Sequence, residues 1–185
     1  YETDLSEKLA TTPIEFEPQE GLITYQQLDK KVFEAVLSIK NWGEESSAPI
    51  LRDILSVPGE IVLLHQIKGV PKFEAKRKLK AKRNFVGSHL GREELDAALE
   101  VVESDEASLA AYQLSLFVRA TTKADLEKLL TRIQTHLRDY QMVGVRETQA
   151  IEWVWRCQLP GFDRLLRPVK LLTHNLSHFI NFDYA

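Results

Sequence analysis

Two histidines four residues apart, His174 and His178, with Asp183 beyond them, are the arrangement that most invites a metal ion. On a helix the pair would share one face. A structural zinc site usually takes four ligands, often cysteines, so hydrogen-bonded polar side chains are the preferred reading and no metal is expected. His65 sits inside the apolar run EIVLLHQI, where a local hydrogen bond is expected rather than general-base chemistry. Cys157, the one cysteine, stands among tryptophans and leucines and reads as a core thiol. A single cysteine excludes an internal disulfide and any multi-cysteine cluster, and fits folding in a reducing compartment. Phosphate chemistry has no cradle here: the sequence contains no G-x-x-x-x-G-K-[ST], no G-x-G-x-x-G and no G-x-S-x-G. No catalytic residue and no cofactor are expected within these residues.

Two features suit binding better than catalysis. Residues 68–83, KGVPKFEAKRKLKAKR, hold eight Lys/Arg against one Glu, and residues 92–106, REELDAALEVVESDE, hold seven acids against one Arg. Lys72, Lys76, Arg77, Lys80, Lys82 and Arg83 could neutralise phosphates, with counterion release as the gain. Only Phe73 and Phe85 interleave with them, which is a thin stacking platform for single strands. The preferred reading is a basic helix joined by a short Gly87–Gly91 link to the acidic helix and lying antiparallel on it, with Phe73, Leu79, Leu95, Leu99 and Val102 as the apolar seam. A protein-partner surface and a weak nucleic-acid surface are the alternatives. Trp153, Trp155 and Phe162 form an aromatic concentration that reads either as core or as an interface anchor, since Trp is enriched at binding hot spots.

The chain that must position these groups has 185 residues, 44% hydrophobic and 28% charged, with a net charge of −3. That is enough for a full core, with no global pull toward nucleic acid or membrane. No stretch approaches 18 uninterrupted apolar residues, and YETDLSEKLATTP lacks the pattern of a signal peptide. A chain that begins at Tyr rather than Met is expected to be part of a longer one. Residues 1–20 read as a lead-in that adds an edge strand. KVFEAVLSI (31–39) alternates at period two, a strand; Ser46 or Ser47 caps a short helix with Ile50, Leu51, Ile54 and Leu55 on its apolar stripe. EIVLLHQI (60–67) reads as a central strand covered on both faces.

After the charged segment, AAYQLSLFV (110–118) is a strand. Thr122 and Asp125 open a helix whose stripe runs Leu126, Leu129, Leu130, Ile133, Leu137 and Tyr140, and QMVGVRE returns as a short strand. The predicted fold is α+β: a mixed sheet built from two βαβ units, ferredoxin-like, with a helical hairpin inserted at about 70–106. The predicted divisions are the lead-in 1–20, a principal domain 21–158 and a tail 159–185.

Several phrases, in this order, resemble a known family: EIVLLHQIKG with its basic helix, Y-x-L-S-L-F-V-R at 112–119, a long helix and short return, then Q-L-P-G at 158–161, an Arg-Pro, and L-T-H-N-L-S-H-F. The pattern is similar to the N-terminal domain of the large ATPase that energises type IV secretion and conjugal DNA transfer, over roughly residues 30–182. The resemblance implies a non-catalytic module that docks a motor on inner-membrane components of the secretion channel and takes part in self-association of the parent. It also implies a cytoplasmic or peripheral inner-membrane location. ATP and magnesium would then belong to a motor domain outside these residues. A stand-alone nucleic-acid-binding α/β module using the helix at 72–83 is the alternative.

Overall fold

The computed structural model describes residues 13–27, 29–43, 49–162 and 164–180. The chain forms two compact units: residues up to His65 together with Gln113–Arg167, and Gln66–Tyr112 together with the residues from Pro168 onward. Their strands are β1 (Ile14–Glu17), β2 (Leu22–Gln27), β3 (Lys30–Asn41), β4 (Glu60–Gly69), β5 (Leu109–Ala120), β6 (Val143–Arg146) and β7 (Val169–Leu172). The helices are α1 (Pro49–Leu55), α2 (Lys72–Phe85), α3 (His89–Glu103), α4 (Lys123–Asp139), α5 (Ile151–Arg156) and α6 (Thr173–Ile180).

In the first unit the strand order is β1-β2-β3-β5-β4, with β6 also on β3. The twelve-residue β3 serves three neighbours. Its first half pairs β2 (Ile23 opposite Glu34), its second half pairs β6 (Leu37 opposite Arg146), and its other edge pairs β5 (Leu37 opposite Leu116), all antiparallel. Because β5 and β6 both oppose β3, they run in the same direction with β3 between them and α4 as their connection. That is the split βαβ arrangement expected of a ferredoxin-like sheet. Six consecutive buried residues in β3 follow from having helices on both faces. Leu37 and Ile39 approach Leu137 of α4 around Gly144, and Val36 with Phe117 and Ile23 packs on Ile151 and Val154 of α5. The α4 stripe is buried from Leu126 to Leu137 as its spacing predicts, whereas Tyr140 is the half-buried C-cap residue beyond the helix; Thr122 caps the start, its Oγ1 accepting from the Asp125 amide at 3.1 Å.

In the second unit α2 and α3 pack on the start of β5. Ala75, Leu79, Leu95, Leu99, Val102 and Leu109 form the core, with Leu172 of β7 against them. β7 pairs β5 antiparallel, Leu109 opposite Leu172. The Tyr112 ring stacks on Phe179 of α6 at 6.1 Å.

Three expectations need correction. β4 is the terminal strand of the order rather than a central one, and Val62 and Ile67 remain exposed; an apolar run specifies burial of side chains on average, not the number of hydrogen-bonded neighbours. Phe73 is 78% exposed and outside the seam, where the smaller Ala75 sits instead. Gly91, expected in the link between the helices, lies in the first turn of α3 because Ser88 caps that helix through the Gly91 amide. Ser46, Ser47 and Asp183 lie outside the described residues.

Candidate functional site

The charged hairpin brings most of the predicted basic residues onto acids. The amine of Lys72 is 2.5 Å from Asp105 and also donates to the Glu103 carbonyl. Lys76 and Lys80 share the Glu103 carboxylate at 3.5 and 3.8 Å, and Arg83 meets Asp96 at 2.5 Å. The pairs run down one strip from 72/105 to 83/96, which is the register of two antiparallel helices. Asp96 raises the affinity of the Arg83 guanidinium for its proton, chiefly through the hydrogen bond between them. Arg77 and Lys82 lie outside these four pairs, and Lys78 donates to Glu74 one turn earlier. Four of the six predicted phosphate-binding cations are therefore already opposed by carboxylates. An incoming phosphate chain would have to displace these acids or accept a reduced field.

The aromatic residues divide. Trp155 is core-anchoring: its ring meets Phe16 edge-on at 5.8 Å, beside the Ile151–Val154 cluster. Trp153, two residues earlier on α5, is 48% exposed. Phe162 lies 6.1 Å from its ring, and the Arg164 guanidinium sits over its face at 5.7 Å. With Trp153 and Arg164 exposed and Phe162 half-buried, this is an aromatic–arginine surface patch, the composition enriched at protein interfaces. Behind it Cys157 is buried, its single S–H within reach of the Trp153 and Arg164 carbonyls at 3.3 and 3.5 Å.

Two buried carboxylates were not singled out by the sequence. Glu34 is fully buried in β3; it accepts from Arg119 of β5 and from the Tyr25 hydroxyl of β2 at 3.2 Å, while Arg119 also donates to Glu60 of β4 at 2.8 Å. Burial pushes the Glu34 carboxyl above its ordinary range even with Arg119 beside it. Burial alone would weaken the Arg119 cation, but the Glu34 carboxylate more than offsets that. The four side chains tie β2, β3, β5 and β4 in their spatial order. Arg119 is the arginine that closes the Y-x-L-S-L-F-V-R phrase. A recess of about 490 Å³ beside it is lined by Asp29, Lys30, Val32, Glu60, Ala120 and Thr121, a set with no nucleophile and base paired. The second carboxylate, Glu147, is 1% exposed and accepts from Nε and Nη2 of Arg167, at 2.5 and 3.0 Å. The Arg167 amide donates in turn to Gln113. The Arg-Pro of the tail is thus a clasp that ends the first unit. Period-two alternation puts Glu34 on the face opposite Phe33, Ala35, Leu37 and Ile39, so it reads as a surface charge, and Glu147, in an irregular segment, offered no signal either.

His174 and His178 stand one turn apart on α6, and among the described residues no group of three His, Cys, Asp or Glu is placed to hold a metal ion. Half-buried His65 has its proton affinity lowered by desolvation.

Residues 3–167 match the family model of the CagE, TrbE, VirB family, a component of the type IV transporter system. The chain belongs to that family. Among curated relatives it is 28% identical over 134 residues to the type IV secretion system protein virB4 of Bartonella henselae, and 27% identical over 134 residues to that of Bartonella quintana. Each alignment covers 70% of this chain and 17% of the relative, so the chain corresponds to a small part of the virB4 length. The family match includes the hairpin, the Glu34–Arg119 tie and the Arg167 clasp, and stops before β7 and α6.

Proposed function

We propose that this chain is a non-catalytic module of a type IV secretion or conjugal-transfer ATPase, one that docks the motor on inner-membrane components of the channel and contributes to self-association of the parent. The observation that carries the reading is the Trp153–Phe162–Arg164 surface patch in a type IV transporter family member whose sequence has no phosphate-cradling loop. ATP and magnesium belong, in this reading, to the parent's motor domain. The residues present do not fit them: the eight glycines are dispersed, with no Lys-Ser or Lys-Thr following a glycine-rich turn. No helix among the described residues is long and apolar enough to cross a membrane.

The test has two arms. Calorimetry of the chain with ATP and magnesium is expected to show no saturable binding, and saturable binding would overturn the non-catalytic reading. Binding to solubilised inner-membrane channel components is expected to weaken about 30-fold on Trp153→Ala, the loss typical of a hot-spot residue, with thermal unfolding unchanged. Undiminished binding would remove the patch from the docking surface.

A further inference from the structure

β4 closes the strand order, so among the described residues one edge of this ten-residue strand has no strand beside it. Edges that are meant to stay single usually carry a lysine, a proline or a bulge in their middle. From Ile61 to Ile67 β4 has no formal charge and no proline, and Val62 and Ile67 are 37% and 49% exposed. Its charges stand at opposite ends: Glu60 at the start, accepting from Arg119 yet with its side chain 53% exposed, and Lys68 near the finish.

That distribution selects a partner. Two copies of β4 laid antiparallel about Leu64 set Glu60 opposite Lys68, Ile61 opposite Ile67 and Val62 opposite Gln66, each pair occurring twice by symmetry. Parallel pairing would put Glu60 on Glu60 and Lys68 on Lys68. A one-residue slip would move every side chain to the other face relative to its partner. We propose that β4 is a self-association edge: a second copy of this chain adds its own β4 antiparallel, centred on Leu64, joining the two sheets across a two-fold axis. The backbone ladder supplies the attraction and the end charges set direction and register. The inference rests on the self-association part of the reading above and names its surface.

Sedimentation of the chain over a concentration series is expected to show a monomer–dimer equilibrium. Val62→Lys, at an exposed position, should weaken it about tenfold or more, with an unchanged circular-dichroism melt. Register is tested separately by oxidation. Ile61→Cys mixed with Ile67→Cys should form a disulfide-linked dimer, since directly opposed residues lie within bridging distance; neither variant alone should do so. A dimer that survives Val62→Lys, or cross-links that form equally in the single variants, would overturn the β4 edge while leaving self-association through another surface. A chain that stays monomeric at its highest soluble concentration would overturn both. Pairing of β4 only with a strand from a different channel component would likewise overturn the two-fold arrangement.

Discussion

Leu99→Ala tests what holds the charged hairpin together. Leu99 is 8% exposed and sits in the seam among Leu79, Leu95 and Val102, where its side chain is surrounded by α2 and by the start of β5. Removing a buried leucine to alanine costs about 2–5 kcal/mol, and a seam near the surface can partly collapse, which favours about 2–3 kcal/mol here. Native-state amide exchange on α2 and α3 reads that cost as about 30- to 150-fold faster opening. The comparison is Lys80→Ala. Lys80 is 63% exposed, 3.8 Å from a Glu103 carboxylate that Lys76 also uses. An exposed pair of this kind contributes on the order of 0–1 kcal/mol, and sharing the acceptor places Lys80 at the low end, so exchange should change less than about threefold. Raising NaCl from about 0.05 M to about 0.5 M screens all the exposed pairs together and should likewise move the hairpin amides only slightly. If salt or Lys80→Ala opened the hairpin as much as Leu99→Ala, the claim that burial outweighs charge would be wrong.

Other consequences are as direct. Gly21, between β1 and β2, has φ +61°, and an added Cβ would lie 2.6 Å from the Glu147 carbonyl oxygen; Gly21→Ala should cost about 1–3 kcal/mol in a urea melt, and a neutral result would refute the close approach. Thr122→Ala removes the α4 cap and should cost about 1 kcal/mol, read as a lower melting temperature that Thr122→Ser largely restores. Because burial raises the Glu34 carboxyl, the folded chain holds that proton more tightly than the unfolded chain does. Its contribution is therefore complete below the ordinary glutamate range and is lost as pH rises through the raised value. Glu34→Gln should lack this loss, so wild type should fall relative to the variant as pH rises from about 4, and parallel stability curves would refute it. DNA binding should be weak and vanish near physiological salt, because Lys72, Lys76, Lys80 and Arg83 face acids. A tight, salt-steep affinity abolished by reversing Lys76, Arg77 and Lys80 to Glu would favour the nucleic-acid reading instead.

The elements were legible in the sequence because their signals are local. The α4 stripe from Leu126 to Leu137 repeats at helical spacing, Thr122 and Asp125 announce its first turn, and β3 alternates from Phe33 to Ile39. Opposite charge on two consecutive helices joined by a short link was enough to anticipate their antiparallel pairing. What the sequence left open were the matters that depend on which segments become neighbours. An apolar run such as EIVLLHQI is compatible with a central or an edge strand, and only the insertion of β5 between β3 and β4 decides that β4 ends the order. Phe73 and Ala75 are two residues apart on one helix, and the angle at which α2 meets α3 determines that the alanine, not the phenylalanine, enters the seam. Glu34, Glu147, Arg119 and Arg167 look like ordinary surface charges in the sequence; each pair becomes a buried or half-buried tie because residues 85 and 20 positions apart are brought within hydrogen-bonding distance. Periodicity and capping act within a few residues, so sequence alone determines them. Strand order, helix crossing and charge pairing are settled by long-range packing, which the tertiary structure alone decides.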